Sequence, residues 1–112
     1  MKIAVPVTSG RLSGHFGHSP DFALVETDEA TGRVLSSRTL TPPPHEPGSI
    51  PRWIAQQGVG LVIAGGIGEK ARAMLADRGV AVVAGAPEDT AEHLALAYLA
   101  GTLQTGRNNC DH

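Results

Sequence analysis

The 112-residue chain has little of most features that assign a function class at once. A single cysteine, Cys110, excludes an internal disulfide, so the fold must stand on packing alone. Aromatic residues amount to 4%, which leaves Val, Leu, Ile and Ala to build the core. Charged residues reach only 18%, the formal net charge is −2, and Lys and Arg are scattered along the chain. Nothing here offers the basic footprint that a nucleic acid requires. No apolar run approaches the roughly 18 residues needed to cross a bilayer, and the start MKIAVPVTSG lacks the basic flank and long apolar stretch of a secretory leader. The expectation is a cytoplasmic protein with neither membrane nor nucleic acid as partner. Internal repeats and a dividing linker are also missing. With 41% hydrophobic residues, the chain reads as one domain over residues 1–103, followed by a polar, flexible tail over 104–112.

What the sequence does have is punctuation: fourteen glycines and eight prolines fall between apolar runs. Lys2–Val7 reads as a strand that ends in a long glycine-bearing loop, Thr8–Pro20. Phe22–Thr27 and Arg33–Leu40 read as two antiparallel strands joined by a hairpin at 28–32. The prolines at 42, 43 and 44 make an extended loop, after which Ser49 is expected to cap a helix carrying Ile50, Trp53 and Ile54, closed by Gly58. Leu61–Ala64 is a short buried strand. Glu69–Arg78 is a helix with Ala71, Met74 and Leu75 inward, closed by Gly79, and Val80–Ala84 is a second buried strand. Asp89 and Glu92 have the spacing of a capping box, opening a helix through Leu94, Leu96, Ala97 and Leu99 to Gly101. The order β-β-β-α-β-α-β-α implies right-handed crossovers and a three-layer α/β fold. Its expected form is a five-stranded mixed sheet of order 3-2-1-4-5 with helices on both faces, the ribonuclease H-like architecture. Ligands of such sheets collect beyond the carboxyl ends of the parallel strands, here after Val7, Ala64 and Ala84.

Three groups there or nearby could carry chemistry. In Ser13–Pro20, His15 and His18 stand three apart between Gly14 and Gly17, and two neutral imidazoles on a folded loop can chelate a metal. The alternative is that one imidazole hydrogen-bonds the loop while the other lies in solvent. Phe16 between them reads as a plug into the core. The tail offers Cys110 and His112, a thiolate and an imidazole that suit iron, copper or zinc, or else a frayed end with a chance cysteine. The turn holding Gly65, Gly66 and Gly68 precedes a helix, so its amides could cradle an anion, or the glycines could serve sterics alone. It matches neither a Walker loop nor a dinucleotide fingerprint. His45 in the proline loop is undecided between solvent and a supporting ligand, and His93 reads as a helical surface residue.

Catalytic readings are poorly supplied. A two-metal nuclease needs several carboxylates converging on the sheet, and the first and fourth strands offer none in their middles. Ser9 or Ser13 beside His15 lacks the strained turn of a G-x-S-x-G nucleophile.

Met1–Val7, the loop Gly14-His15-Phe16-Gly17-His18-Ser19-Pro20 with Phe22, the turn Ala64–Gly68 and Ala97-Tyr98-Leu99-Ala100-Gly101 resemble the dinitrogenase iron-molybdenum cofactor biosynthesis family. The likeness covers residues 1 to about 103. It implies a ribonuclease H-like fold without nuclease activity, and the binding or handing on of iron-sulfur or molybdenum-iron-sulfur precursors in nitrogenase cofactor assembly; some relatives hold a molybdenum-copper-sulfide cluster. Carried over, it makes His15 and His18 candidate cluster ligands and sets Gly65, Gly66 and Gly68 at the same end of the sheet. Cys110 and His112 fall outside the matched span, and a C-x-H tail occurs in some small relatives. Permanently held iron-sulfur clusters take four thiolates, whereas this chain has one, so loose holding and handover to an assembly or acceptor protein are the expectation. The rival readings are a mononuclear zinc or iron hydrolase and a metal-free protein-interaction module.

Overall fold

A computed structural model describes residues 1–106 of the chain. Strand β1 (Lys2–Thr8) is followed by β2 (Arg11–Leu12), a single 3₁₀ turn over Phe16–His18, β3 (Asp21–Asp28) and β4 (Arg33–Leu40). Helix α1 (Ser49–Gln56), β5 (Leu61–Ile63), α2 (Glu69–Asp77), β6 (Ala81–Val83) and α3 (Ala91–Ala100) complete the order. The sheet runs β4-β3-β1-β5-β6, with β3 antiparallel to β1 and to β4, and β5 parallel to both β1 and β6. Among the described residues no helix is long and apolar enough to cross a membrane.

Period-two alternation explains why helices cover both faces. Ala4, Phe22, Leu24 and Val62 pack with Ile50, Ile54 and Leu75 of α1 and α2. Their neighbours Ile3, Val5, Ala23, Val25, Leu61 and Ile63 turn the other way, onto Ala91, Leu94 and Ala95 of α3. The central strand β1 is buried on both sides, hence its unbroken apolar run; β4 at the edge is mostly exposed and carries Ser, Thr and Arg.

Several local details differ from the sequence expectation. The sheet has six strands rather than five, because Ser9 and Gly10 both take positive φ (53° and 81°) in a two-residue turn that folds β2 back onto β1. The serine-glycine pair signals this turn, but the polar run around it hides so short a strand. Gly48, in the left-handed region, occupies the position before α1 that was expected of Ser49, which instead bonds back into the proline loop. Thr90, one residue beyond Asp89, caps α3 by accepting from the His93 N–H at 3.3 Å. Met74, expected inside, is 37% exposed: a helix packed on one side of a sheet buries a narrower stripe than the pattern suggested.

Asp89 nevertheless holds the start of α3. Its carboxylate accepts from the Thr90 N–H at 2.7 Å and lies 3.0 Å from His93 Nδ1. Those bonds, the Thr90 N–H foremost and the His93 ring next, hold the carboxyl below its ordinary value of 3.8. A depressed native pKa contributes stability that is present in full above the unfolded value and is lost as pH falls through the native one. Asp89→Asn should therefore melt below the parent at neutral pH, with the difference closing once pH drops under 3.8. Thermal denaturation across pH reads this directly; a gap that persists to the acid limit of folding would assign the loss to packing instead of charge.

Candidate functional site

Pro6 is where the sheet makes room. β1 pairs with β5 only at Ile3 and Ala4, and with β2 at Val7 and Thr8. Between them the Pro6 carbonyl accepts from Ser13 N–H at 2.8 Å, and proline has no N–H of its own to extend the ladder toward β5. The chain leaving β2 enters the gap thus opened. Gly66 N–H donates to the Gly14 carbonyl and Phe16 N–H donates to the Gly66 carbonyl, both at 3.0 Å, so His15 pairs as a parallel bridge with the segment after β5. The next rung is Gly85 N–H to the Gly65 carbonyl at 2.8 Å, and Gly106 N–H then donates to the Gly85 carbonyl at 2.7 Å. Loop, glycine turn, the end of β6 and the root of the tail thus meet in one ladder at the carboxyl ends of the parallel strands.

Phe16 fixes which side chains face outward. It is 2% exposed and packs edge-on to Phe22 (centroids 5.4 Å apart, planes at 75°), which in turn meets Trp53. Ser19, also buried, closes the loop: its hydroxyl lies 2.6 Å from the Asp21 carbonyl and 3.1 Å from that of Val7. Held inward at Phe16 and Ser19, the segment leaves His15 and His18 exposed.

A third imidazole joins them. His45, also exposed, sits with its ring centroid 5.3 Å from that of His18 and the planes tilted by 32°. All three line one cavity of about 570 Å³ with Phe16, Gly17, Gly68, Lys70 and Ala71. Among the described residues, Lys70, in the first turn of α2, is the one charged side chain of this lining, which includes no carboxylate. The dipole of α2 adds positive character at the same end. Among the described residues no group of three or more His, Cys, Asp and Glu is arranged to hold a metal ion by itself. The donor set is thus imidazole plus a cation: suited to a soft, anionic guest that brings ligands of its own, and unsuited to a hard cation such as magnesium.

The candidate residues divide accordingly. His15, His18, Gly17 and Gly68 line the cavity. Gly66 has its N–H and C=O committed to the loop, so it ties the loop down and has no amide free to cradle an anion. Gly65 is packed under Leu12, whose Cδ2 would lie 3.3 Å from an added Cβ, and Gly14 faces open space. None of the five glycines has positive φ; close approach matters at Gly17 and Gly65, and nothing in the structure explains Gly14. Cys110 and His112 lie outside the described residues. His93 stands on the α3 face, across the sheet from the cavity and held by Asp89. Lys70 was missed from sequence; its signal was a cation in the first turn of a helix that follows a parallel strand.

The chain is 34% identical over 85 residues to the uncharacterized protein MJ0580 of Methanocaldococcus jannaschii, covering 73% of this chain and 72% of that one. Its fold is similar to the crystal structure of PH0822, with a TM-score of 0.87, 26% identity and 96% of each chain covered. It is also similar to the apo form of the orange protein from Desulfovibrio gigas, with a TM-score of 0.76, 22% identity and coverage of 96% and 93%; that likeness bears on the fold alone. A family model described as dinitrogenase iron-molybdenum cofactor matches residues 1–101, a span that includes the whole histidine loop, the glycine turn and all of α3. By that match the chain belongs to the dinitrogenase iron-molybdenum cofactor family.

Proposed function

We propose that the protein is a carrier, not a catalyst: it binds an iron-sulfur or molybdenum-iron-sulfur cluster, or a precursor of one, and hands it to an assembly or acceptor protein. The observation that supports this reading most directly is the exposed cavity in which, among the described residues, three imidazoles and Lys70 converge without a carboxylate. Sulfide-bridged clusters are soft and commonly anionic, so imidazole nitrogen can ligate them while an ammonium group offsets their charge. The hydrolase reading is weaker, since the described lining offers no carboxylate to act as base toward a metal-bound water. Exposure of the donors favours release: a guest bound at a surface cavity reaches an acceptor without unfolding the carrier. The strand order and the helices on both faces support reading the fold as ribonuclease H-like. Family membership supports a place in iron-molybdenum cofactor assembly, and a cytoplasmic setting accords with that role. We assign His15 and His18 as cluster ligands, with Cys110 and His112 as additional donors from the tail.

His15→Ala combined with His18→Ala should abolish most cluster retention while changing stability by less than about 0.5 kcal/mol per site, because both side chains are exposed. Iron, molybdenum and sulfide content after anaerobic reconstitution and gel filtration gives the answer; full stoichiometry in the double variant would remove the histidine loop from the site. Cys110→Ser should lower retention or speed release to a chelator, with melting unchanged, and parent behaviour in both would dismiss the tail as a ligand.

Gly17→Val tests the shape of the cavity. A Cβ on Gly17 would already stand in van der Waals contact with His45 Cε1, at 3.4 Å, so the branched methyl groups of valine crowd the place of the His45 ring. Retention should fall severalfold while cooperative unfolding is preserved. Loss of that cooperativity would mark Gly17 as a folding residue instead.

A further inference from the structure

The geometry points to a specific pair of donors within this cavity: we propose that His18 and His45 form a two-imidazole clamp on a single transition-metal atom. The inference rests on reading the cavity as a metal-sulfur site and names the donor that the proline loop supplies to it.

A tetrahedral metal with nitrogen ligands at about 2.0–2.1 Å holds the centres of two imidazole rings roughly 5 Å apart. The centroids of His18 and His45 are separated by 5.3 Å before any metal is added. Among the described residues neither ring has a hydrogen-bonding side chain, whereas the imidazole of His93 is held by Asp89. The two rings come from distant parts of the sequence, and each is fixed by its own anchors. His18 ends the 3₁₀ turn that is pinned by buried Phe16 on one side and the Ser19 hydroxyl on the other.

His45 is fixed by Ser49. The Ser49 hydroxyl accepts from the Glu46 N–H at 3.0 Å and lies 3.0 Å from the Pro44 carbonyl and 2.9 Å from that of Glu46, so it grips the loop on both sides of His45. Ser49 opens α1, and the next residue, Ile50, is buried in the core. The prolines at 42, 43, 44 and 47 further restrict the loop. Such preorganisation is expensive to build for a residue whose fate is solvent. Gly17, the one position of the turn without a side chain, is where the His45 ring passes. Two tetrahedral positions are left over, open to sulfide or thiolate on the guest, and Lys70 borders the same cavity to offset their negative charge. In this arrangement Ser49 is a positioning residue, acting through His45.

The probe is Co²⁺ added to the metal-free, full-length protein, followed by the visible bands of tetrahedral cobalt, with Zn²⁺ as competitor; thiolate-to-cobalt charge transfer in the near ultraviolet reports Cys110 separately. His18→Ala and His45→Ala should each remove the tetrahedral spectrum, and the double variant should be no worse than either single one. Ser49→Ala should weaken Co²⁺ binding about 10-fold, as loss of a supporting hydrogen bond does at metal sites, with Ser49→Thr restoring it. A His45→Ala variant that binds like the parent while His18→Ala does not would overturn the clamp and leave the histidine-loop reading intact. Spectra unaffected by either change would also overturn it, reducing the rings to a stacked pair at ordinary aromatic separation. A parent that clamps cobalt yet retains no metal-sulfur cluster would support the clamp and sink the carrier reading.

Discussion

Two backbone hydrogen bonds between the histidine loop and Gly66 hold the functional end of this protein together. Each contributes about 0.5–1.5 kcal/mol net, too little to order a polar loop alone. They persist because Phe16, whose N–H makes the second of them, adds about 1.5–3 kcal/mol of apolar burial at the same point. Backbone pairing sets the height of the loop on the sheet, and the buried ring sets its rotation. Everything exposed on that segment is exposed as a consequence. The opening that admits it is equally simple: β1 changes partner from β5 to β2 around Pro6, whose carbonyl bonds the Ser13 N–H and which has no N–H of its own left to satisfy.

Most of the architecture could be read from residue patterns. Alternation along β1, β3 and β5 reports the two core faces directly, because a sheet covered on both sides demands apolar residues at odd and even positions alike. The hairpin after β3 followed from its turn residues, and the Asp28 side chain indeed accepts from the Ala30 N–H at 3.0 Å. What escaped was decided by tertiary contact. Whether a serine beside a helix start caps it or grips the preceding loop depends on where that loop is going. For Ser49 the proline segment won.

The site was half legible for the same reason. His15 and His18 stand out because they are close in sequence and bracket a buried aromatic. His45 carries no local mark, since its partner ring lies in another loop and only the packing of α1 brings the two together. The glycines before the helix divide: Gly66 spends both backbone groups on the loop, while Gly68 lines the cavity. Local spacing shows which imidazoles are neighbours within a segment and is blind to neighbours across segments.

The ladder that continues from Gly65 through Gly85 to Gly106 has a consequence for handling the molecule. Gly85 has a φ of 79°, and a Cβ there would collide with the Gly106 carbonyl, so the chain passes this point at backbone contact. The amine of Met1, bonded to the Thr27 carbonyl at 2.9 Å, sits at the opposite end of the sheet, where β1 begins. A purification tag or fluorescent reporter attached ahead of Met1 therefore projects away from the imidazoles, whereas the chain at Gly106 is already part of the ladder that carries the histidine loop and the glycine turn, so an addition on that side starts from the cavity's own end of the sheet.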